Sequence, residues 1–349
     1  MTVAALRVLV CDDSRAYAGA LQRVLEYEGD IEVLAVCGSA EDAIAALPRL
    51  EPDLVTMDVE LPGMGGLDAV GEIMSSRPLP ILVLSAYVGH ASEKTAAALA
   101  AGALDALDKD DLDLRDPAGT AAAALRRRIK VLSQARVIRH PLARLAAKPH
   151  NLADGRRVSV VGVCASLGGP QLLMFLLKAL PAGYPIPLLI VQHIASGFTE
   201  GLARWLDEAA EIPVRVAEPG TLAAGPGAWL APDGAHLTIT RAGMMMLDRH
   251  TVAGRHRPSG DVLLSGIAAA AGRTGAGVVL SGIGRDGAAG AAAVRRSGGL
   301  AIAQDEGSSA VFGMPKAAIE LGVDVVLPPS QIAACLLGLQ PEPFHGARG

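Results

Sequence analysis

Three carboxylates, a serine and a lysine fall where one pocket could gather them. Asp12 and Asp13 follow an apolar run at 7–11, and Asp58 follows another at 54–57. Ser85 closes a run at 81–85, and Lys109 comes just after one at 103–107. Carboxylates on one rim repel one another unless a hard cation sits among them, and Mg²⁺ suits such an oxygen set. An aspartate beside Mg²⁺, with a lysine at hand, can attack phosphorus and become an acyl phosphate. A second group lies further along. Ser166 stands in the glycine turn of Val160-Val-Gly-Val-Cys-Ala-Ser-Leu-Gly-Gly-Pro170, between an apolar run and an apolar helical stretch. His193 ends the run that starts at Leu189, and Asp286 lies in the glycine-rich turn after Val278-Val-Leu. Brought together at strand ends, these three suit nucleophilic acyl transfer: the imidazole takes the serine proton, and the carboxylate fixes its tautomer and stabilises its cation. Ser166 would serve equally as a helix cap, because a helix N-terminus favours both roles.

Such convergence requires parallel strands. Short β-branched or Leu-rich runs at 7–11, 32–36, 54–57, 81–85 and 103–107 alternate with helical patterns at 15–27, 39–47, 67–76 and 91–100. Five β-then-α units predict a doubly wound (βα)5 domain over 1–125, with its crevice beyond the carboxyl ends of the strands. A second alternating set begins at Val158. It predicts a three-layer α/β/α domain with a mostly parallel sheet over 158–349, in which the short strands of 228–247 form a hairpin insertion. Between them, 126–157 reads as a helix continuation and basic linker, broken by Pro141 and Pro149.

The 349 residues suffice for two cores, and with 3% aromatics those cores must be built from Val, Leu, Ile and Ala. Charge balances are −13 over 1–125, +9 over 126–157 and −1 over 158–349. The basic stretch carries almost no aromatic on which a base could stack, so a solvated connector lying against the acidic first domain is expected, and no nucleic acid. No charge-free apolar run approaches the roughly 18 residues of a membrane span. The N-terminus lacks a basic signal-peptide start, and the four cysteines are scattered. A reduced, cytoplasmic chain without membrane insertion is therefore expected. His236, His250 and His256 lack ligand spacing and read as solvated or structural; Met244-Met-Met246 reads as strand core. A dinucleotide loop is excluded by Cys164, which stands where the second glycine belongs. The α/β-hydrolase elbow is excluded because the acid follows the histidine in the chain.

Residues 5–125 resemble the receiver domain of two-component response regulators, on Val10-Cys-Asp-Asp-Ser14, Met57-Asp-Val-Glu-Leu-Pro-Gly-Met64, Ser85-Ala86 and Lys109. That resemblance implies that Asp58 is the phosphoacceptor, fed by a histidine kinase. It implies that Asp13 and the Glu60 carbonyl help hold Mg²⁺ alongside Asp58, with Asp12 acting directly or through water. Ser85 would hydrogen-bond the phosphoryl group and Lys109 would pair with it. Residues 158–340 resemble the catalytic domain of the chemotaxis protein-glutamate methylesterase (CheB) family. Further landmarks are Pro226-Gly-Ala-Trp-Leu-Ala-Pro232, Arg257-Pro-Ser-Gly-Asp261 and the long segment 303–318. This second resemblance implies Ser166 as nucleophile, His193 as general base and Asp286 as its orienting partner. It implies no cofactor in this domain, and glutamyl methyl esters, or glutamines, of a chemoreceptor's cytoplasmic part as substrate. The chain departs from the usual patterns at Ala106 (an aromatic in most receivers), Asp110 (Pro), Leu167 (Thr) and Ile283 (Met). A second reading takes Leu167 and Ile283 as marks of an inactive domain that docks partners once Asp58 is phosphorylated.

Overall fold

The computed structural model describes residues 5–85, 91–135, 137, 155–252 and 256–344. Ala86, Pro141, Pro149 and most of the expected linker lie outside the described residues. The chain divides into two compact units, Met1–Arg139 and His140–Gly349.

The first unit alternates β1 (Leu6–Cys11), α1 (Arg15–Glu26), β2 (Ile31–Cys37), α2 (Ala40–Leu50), β3 (Leu54–Asp58), α3 (Gly66–Ser76), β4 (Ile81–Ser85), α4 (Ala91–Ala101), β5 (Asp105–Asp108) and α5 (Thr120–Ser133). All strand pairs are parallel, in the order β2-β1-β3-β4-β5. Val8, Leu9, Val10, Leu54, Val55, Met57, Ile81, Leu82 and Val83 are fully buried, as expected of strands covered by helices on both faces. The order reverses between β1 and β3, so the crevice of this open sheet lies beyond Cys11 and Asp58. Ser14 caps α1, its Oγ accepting from Tyr17 N at 3.3 Å; Ser39 does the same for α2 through Asp42 N at 3.2 Å.

The helix continuation expected after residue 125 is the second part of α5, which runs on to Ser133, so the domain boundary expected there falls inside that helix. Arg126, counted with the solvated connector, is instead 2% exposed. Its guanidinium donates to the carbonyls of Val24 (3.1 Å) and Pro117 (2.7 Å) and to the Glu28 carboxylate (2.8 Å). Composition showed the charge of this stretch but not that its first residue clamps α5 against the end of α1.

The second unit comprises β6 (Arg157–Val158), β7 (Val160–Ala165), α6 (Gly169–Lys178), β8 (Leu188–Gln192), α7 (Thr199–Ala209), β9 (Val214–Val216), β10 (Ala228–Leu230), β11 (His236–Ile239), β12 (Met245–Asp248), α8 (Gly260–Ala271), β13 (Gly275–Val279), α9 (Ala288–Arg296), β14 (Leu300–Gln304), α10 (Met314–Leu321), β15 (Val325–Leu327), α11 (Pro329–Gly338) and β16 (Gln340–Pro341). Its main sheet has seven parallel strands in the order β15-β14-β13-β7-β8-β10-β9. The period of two along β7 builds a layer on each face. Val161, Val163 and Ala165 join one core with Leu172, Leu176 and Ile332; Val160 and Cys164 join the other with Leu263, Leu264 and Ala291. The expected hairpin is confined to β11 and β12. Ala228–Leu230 belongs to the main sheet, where Trp229 pairs with both Leu189 and Arg215. Met245 is buried but Met246 is 48% exposed, so the methionine run alternates across the hairpin and is only partly core. Among the described residues, no helix is long and apolar enough to cross a membrane.

One glycine ties the first fold to its crevice. A Cβ on Gly66 would lie 1.9 Å from the carbonyl oxygen of Asp58. The obstacle is backbone, so α3 can pack here only without a side chain. Gly66→Ala should destabilise the first unit by ~1–3 kcal/mol. Amide hydrogen exchange on the full chain should then speed up across β3 and α3 while β7 and β13 keep their protection.

Candidate functional site

The first unit gathers its predicted residues at one rim. Asp58 ends β3, Ser85 ends β4, and Lys109 follows Asp108 at the end of β5. Lys109 Nζ lies 2.6 Å from Oδ2 of Asp12 and 2.6 Å from Oδ2 of Asp58. Asp58 Oδ1 accepts from Glu60 N at 3.0 Å, and Asp12 Oδ1 from Ser14 N at 3.0 Å. Asp12 and Asp58 are 2% and 5% exposed, whereas Asp13 faces solvent. One carboxylate oxygen from each of the three lies within 4.8 Å of the others. That all-oxygen set fits a hard divalent cation such as Mg²⁺. Burial raises the Asp58 carboxyl above its ordinary range despite the opposing pull of Lys109 and the Glu60 N–H. Burial by itself would lower the Lys109 ammonium, but hydrogen bonds to Asp12 and Asp58 overcome it and hold the group above its usual value. Ser85 is fully buried, and its carbonyl accepts from Lys109 N at 2.9 Å, which fixes the backbone from which the lysine reaches the acids.

In the second unit the strand order reverses at β7, with β8 on one side and β13 on the other. Ser166 and His193 are the residues just beyond the register pair Ala165 and Gln192. His193 N donates to Ala165 O at 2.9 Å, Gln192 Nε2 to Ser166 O at 2.7 Å, and Ser166 N to Ser281 O at 3.0 Å. Backbone bonds from both flanking strand ends therefore grip the serine turn. The N-cap of α6 is Gly168, in the left-handed region, with no side-chain cap bond, so Ser166 is not spent as a cap. Cys164 is wholly buried, and that burial pushes its thiol well above the ordinary range, so it offers no competing nucleophile.

Asp286 meets the histidine. His193 Nε2 and Asp286 Oδ2 are 2.8 Å apart, and Nδ1 of the same ring is buried with no hydrogen-bond partner among the described residues. The carboxylate also accepts from Ser259 Oγ (2.7 Å), Gly260 N (2.6 Å) and Asp261 N (3.0 Å), at the start of α8. Burial opposes its charge, but the bonds from His193, Asp261 and Ser259 outweigh that and hold the carboxyl below the usual carboxylate range. A carboxylate on Nε2 keeps the proton there and leaves the Nδ1 lone pair to accept one.

Several contributors had no role assigned to them from the sequence, although Ser259 and Gln304 lie in segments that carried the resemblance. Ser259 caps α8 and also orients Asp286. Ser281, fully buried, donates to Leu167 O at 2.8 Å and accepts from Val311 N at 3.0 Å, which joins the serine turn to the segment before α10. Gln304, also fully buried, accepts from Ser281 N at 2.8 Å. Gly282 is the point of closest approach: a Cβ there would lie 2.6 Å from Ser166 Cβ and 2.3 Å from Met314 Sδ. His256 corrects the reading of the three other histidines. Its ring stacks on His193 with centroids 4.2 Å apart and planes at 15°. His236 keeps its structural reading, buried with Nε2 3.2 Å from Thr251 O. Proximity to Arg257-Pro-Ser-Gly-Asp261 was the one available hint for His256.

With this geometry in place, the comparisons with known proteins agree on one family. The model described as CheB methylesterase matches residues 161–336, and the response regulator receiver domain matches residues 8–115. A protein-glutamate methylesterase/protein-glutamine glutaminase of Myxococcus xanthus is 39% identical over 98% of this chain and 96% of its own. One of Anaeromyxobacter dehalogenans is 41% identical over 95% and 96%. The crystal structure of the Thermotoga maritima CheB methylesterase catalytic domain, 36% identical, aligns with a TM-score of 0.50 over 52% of this chain and 97% of its own. The chain therefore belongs to the CheB methylesterase family, with a response regulator receiver domain preceding its CheB domain.

Proposed function

We propose that this chain is a phosphorylation-controlled hydrolase that removes methyl groups from glutamyl methyl esters of a chemoreceptor's cytoplasmic part, and releases ammonia from glutamine there by the same route. The observation that carries this reading is the couple between Asp286 and His193: one ring nitrogen held by an ionised carboxylate, the other buried without a partner at the strand end beside Ser166. Ser166 Oγ attacks the ester carbonyl as its proton passes to His193 Nδ1. The imidazolium so formed is stabilised by Asp286. Collapse of the tetrahedral intermediate breaks the C–O bond, and the imidazolium returns the proton to the leaving oxygen, which departs as methanol. Water, deprotonated by the same imidazole, then attacks the acyl-enzyme and restores glutamate and Ser166. A backbone N–H in the turn around Ile283 serves the oxyanion without calling on a side chain, so Ile in place of Met does not remove it. An intact couple with an unspent serine argues against a domain that only docks partners.

In the receiver, Asp58 accepts a phosphoryl group from a histidine kinase, and Ser85 and Lys109 contact the phosphoryl oxygens. Asp12, Asp13 and Asp58 would hold the Mg²⁺. Bound there, the ion would neutralise charge on the transferring phosphoryl group. Phosphorylation shifts the population toward a state in which the hydrolase crevice is open to substrate. The reaction and its phosphodonor belong to the cytoplasmic side of the membrane.

Three outcomes follow. Methanol release from methylated receptor membranes should fall by about 10⁴-fold or more in Ser166→Ala, and on the order of 10⁴-fold in Asp286→Asn, where the tautomer is lost; release equal to wild type in Ser166→Ala refutes the assignment. Acetyl phosphate with Mg²⁺ should raise release by wild type and leave Asp58→Ala unchanged. The third concerns stability. A carboxyl lowered on folding contributes stability that is complete above its unfolded value, ~4, and is lost only as pH falls through the folded value. In urea titrations, the stability difference between wild type and Asp286→Asn should hold steady at neutral pH and move in favour of the variant in strong acid.

A further inference from the structure

Lys109 is held by more than its two acids. Its ammonium has three protons. Asp12 and Asp58 each accept at 2.6 Å, and Nζ also stands 4.6 Å from the centroid of the Tyr17 ring. The ring thus provides a face for the remaining N–H on a side chain that is only 14% exposed. Tyr17 is placed there by the start of α1, where its own N–H binds the capping Ser14.

Two further facts separate ring from hydroxyl. The Tyr17 hydroxyl is buried and has no hydrogen-bond partner among the described residues, so no polar bond of its own fixes the side chain there. The strand position three residues before the lysine is Ala106, fully buried, which offers a methyl and no ring. We propose that Tyr17 is a positioning residue of the phosphoacceptor pocket, whose ring face keeps the Lys109 ammonium between Asp12 and Asp58 and so sets the rate at which Asp58 is phosphorylated. The inference rests on Asp58 being the phosphoacceptor. In that step an Asp58 oxygen forms a bond to the donor's phosphorus as the bond from phosphorus to the leaving group breaks, P–N to the kinase's imidazole or P–O to the acetate of acetyl phosphate, and the leaving group departs with the electron pair. Lys109 must then follow the negative charge from the Asp58 carboxylate onto the phosphoryl oxygens. A ring that attracts the cation without a fixed hydrogen-bond direction permits that short move while disfavouring escape to solvent.

The test is phosphorylation of the full chain by radiolabelled acetyl phosphate with Mg²⁺, in wild type, Tyr17→Phe, Tyr17→Leu and Asp58→Ala. Tyr17→Phe keeps the ring and should react within about twofold of wild type, whereas Tyr17→Leu should be slower by roughly two- to thirtyfold, the range a cation–π contact supplies. In a Lys109→Ala background, Tyr17→Leu should have no further effect; a role confined to packing would persist there. Should Tyr17→Leu be too unstable to assay, Tyr17→Met removes the ring at similar length. A ring-less variant reacting at the wild-type rate overturns the proposal, as does Tyr17→Phe reacting as slowly as Tyr17→Leu. Labelling of Asp58→Ala at the wild-type rate sinks the phosphoacceptor reading instead, and the proposal falls with it.

Discussion

A carboxylate taken out of water and kept ionised is the constraint on which the hydrolase unit depends. Asp286 is largely buried, yet the Ser259 hydroxyl, the N–H groups of Gly260 and Asp261 and the His193 imidazole converge on its two oxygens. Desolvation alone would favour the neutral acid, which could not fix the imidazole tautomer or stabilise its cation. The start of α8 solves this locally: the helix N-terminus supplies two backbone donors, and its capping serine supplies a third. The rest of the unit serves that arrangement. Parallel register sets Ser166 beside His193, and Gly282 leaves room for the serine turn to sit against α10.

The receiver meets the same difficulty by different means. Asp12 and Asp58 are buried side by side, and the lysine that follows β5, two strands away from β3, compensates them. Here the balance stays close: Asp58 remains raised and Lys109 remains raised. Charge added at such a balance would redistribute an existing network. The hydrolase site instead has donors enough to keep one state across ordinary pH.

Strand ends were the legible part of this molecule. Short apolar runs closed by Asp, Ser or His marked both crevices, because a parallel sheet buried on both faces leaves little else polar in its strands. The (βα)5 unit and the parallel sheet of the second unit followed from the same alternation. Pairings that depend on tertiary placement were not legible. Ala228–Leu230 looked like part of a hairpin because it is only three residues long and its parallel partners are distant in sequence. Arg126 looked solvated because its partners, Val24, Glu28 and Pro117, lie on other elements. Ser259 lay inside the landmark Arg257-Pro-Ser-Gly-Asp261 with no role of its own to read, and His256 carried nothing beyond ordinary loop chemistry, because their contacts with Asp286 and His193 are made only in the folded unit. Leu167 and Ile283 were conspicuous as departures, yet hydrogen bonds in their turns fall on backbone oxygens, Leu167 O accepting from Ser281 Oγ and Gly282 O from Met314 N.

The central claim is that Asp286, through His193, makes Ser166 a nucleophile. It is tested most directly by exposing the full chain to a serine-reactive fluorophosphonate and locating the adduct by mass spectrometry, in wild type and in His193→Gln with its fold confirmed by hydrogen exchange. The account requires one adduct, on Ser166, in the wild type and almost none in the variant. Equal modification of Ser166 in both proteins, or an adduct on a different residue, would contradict it.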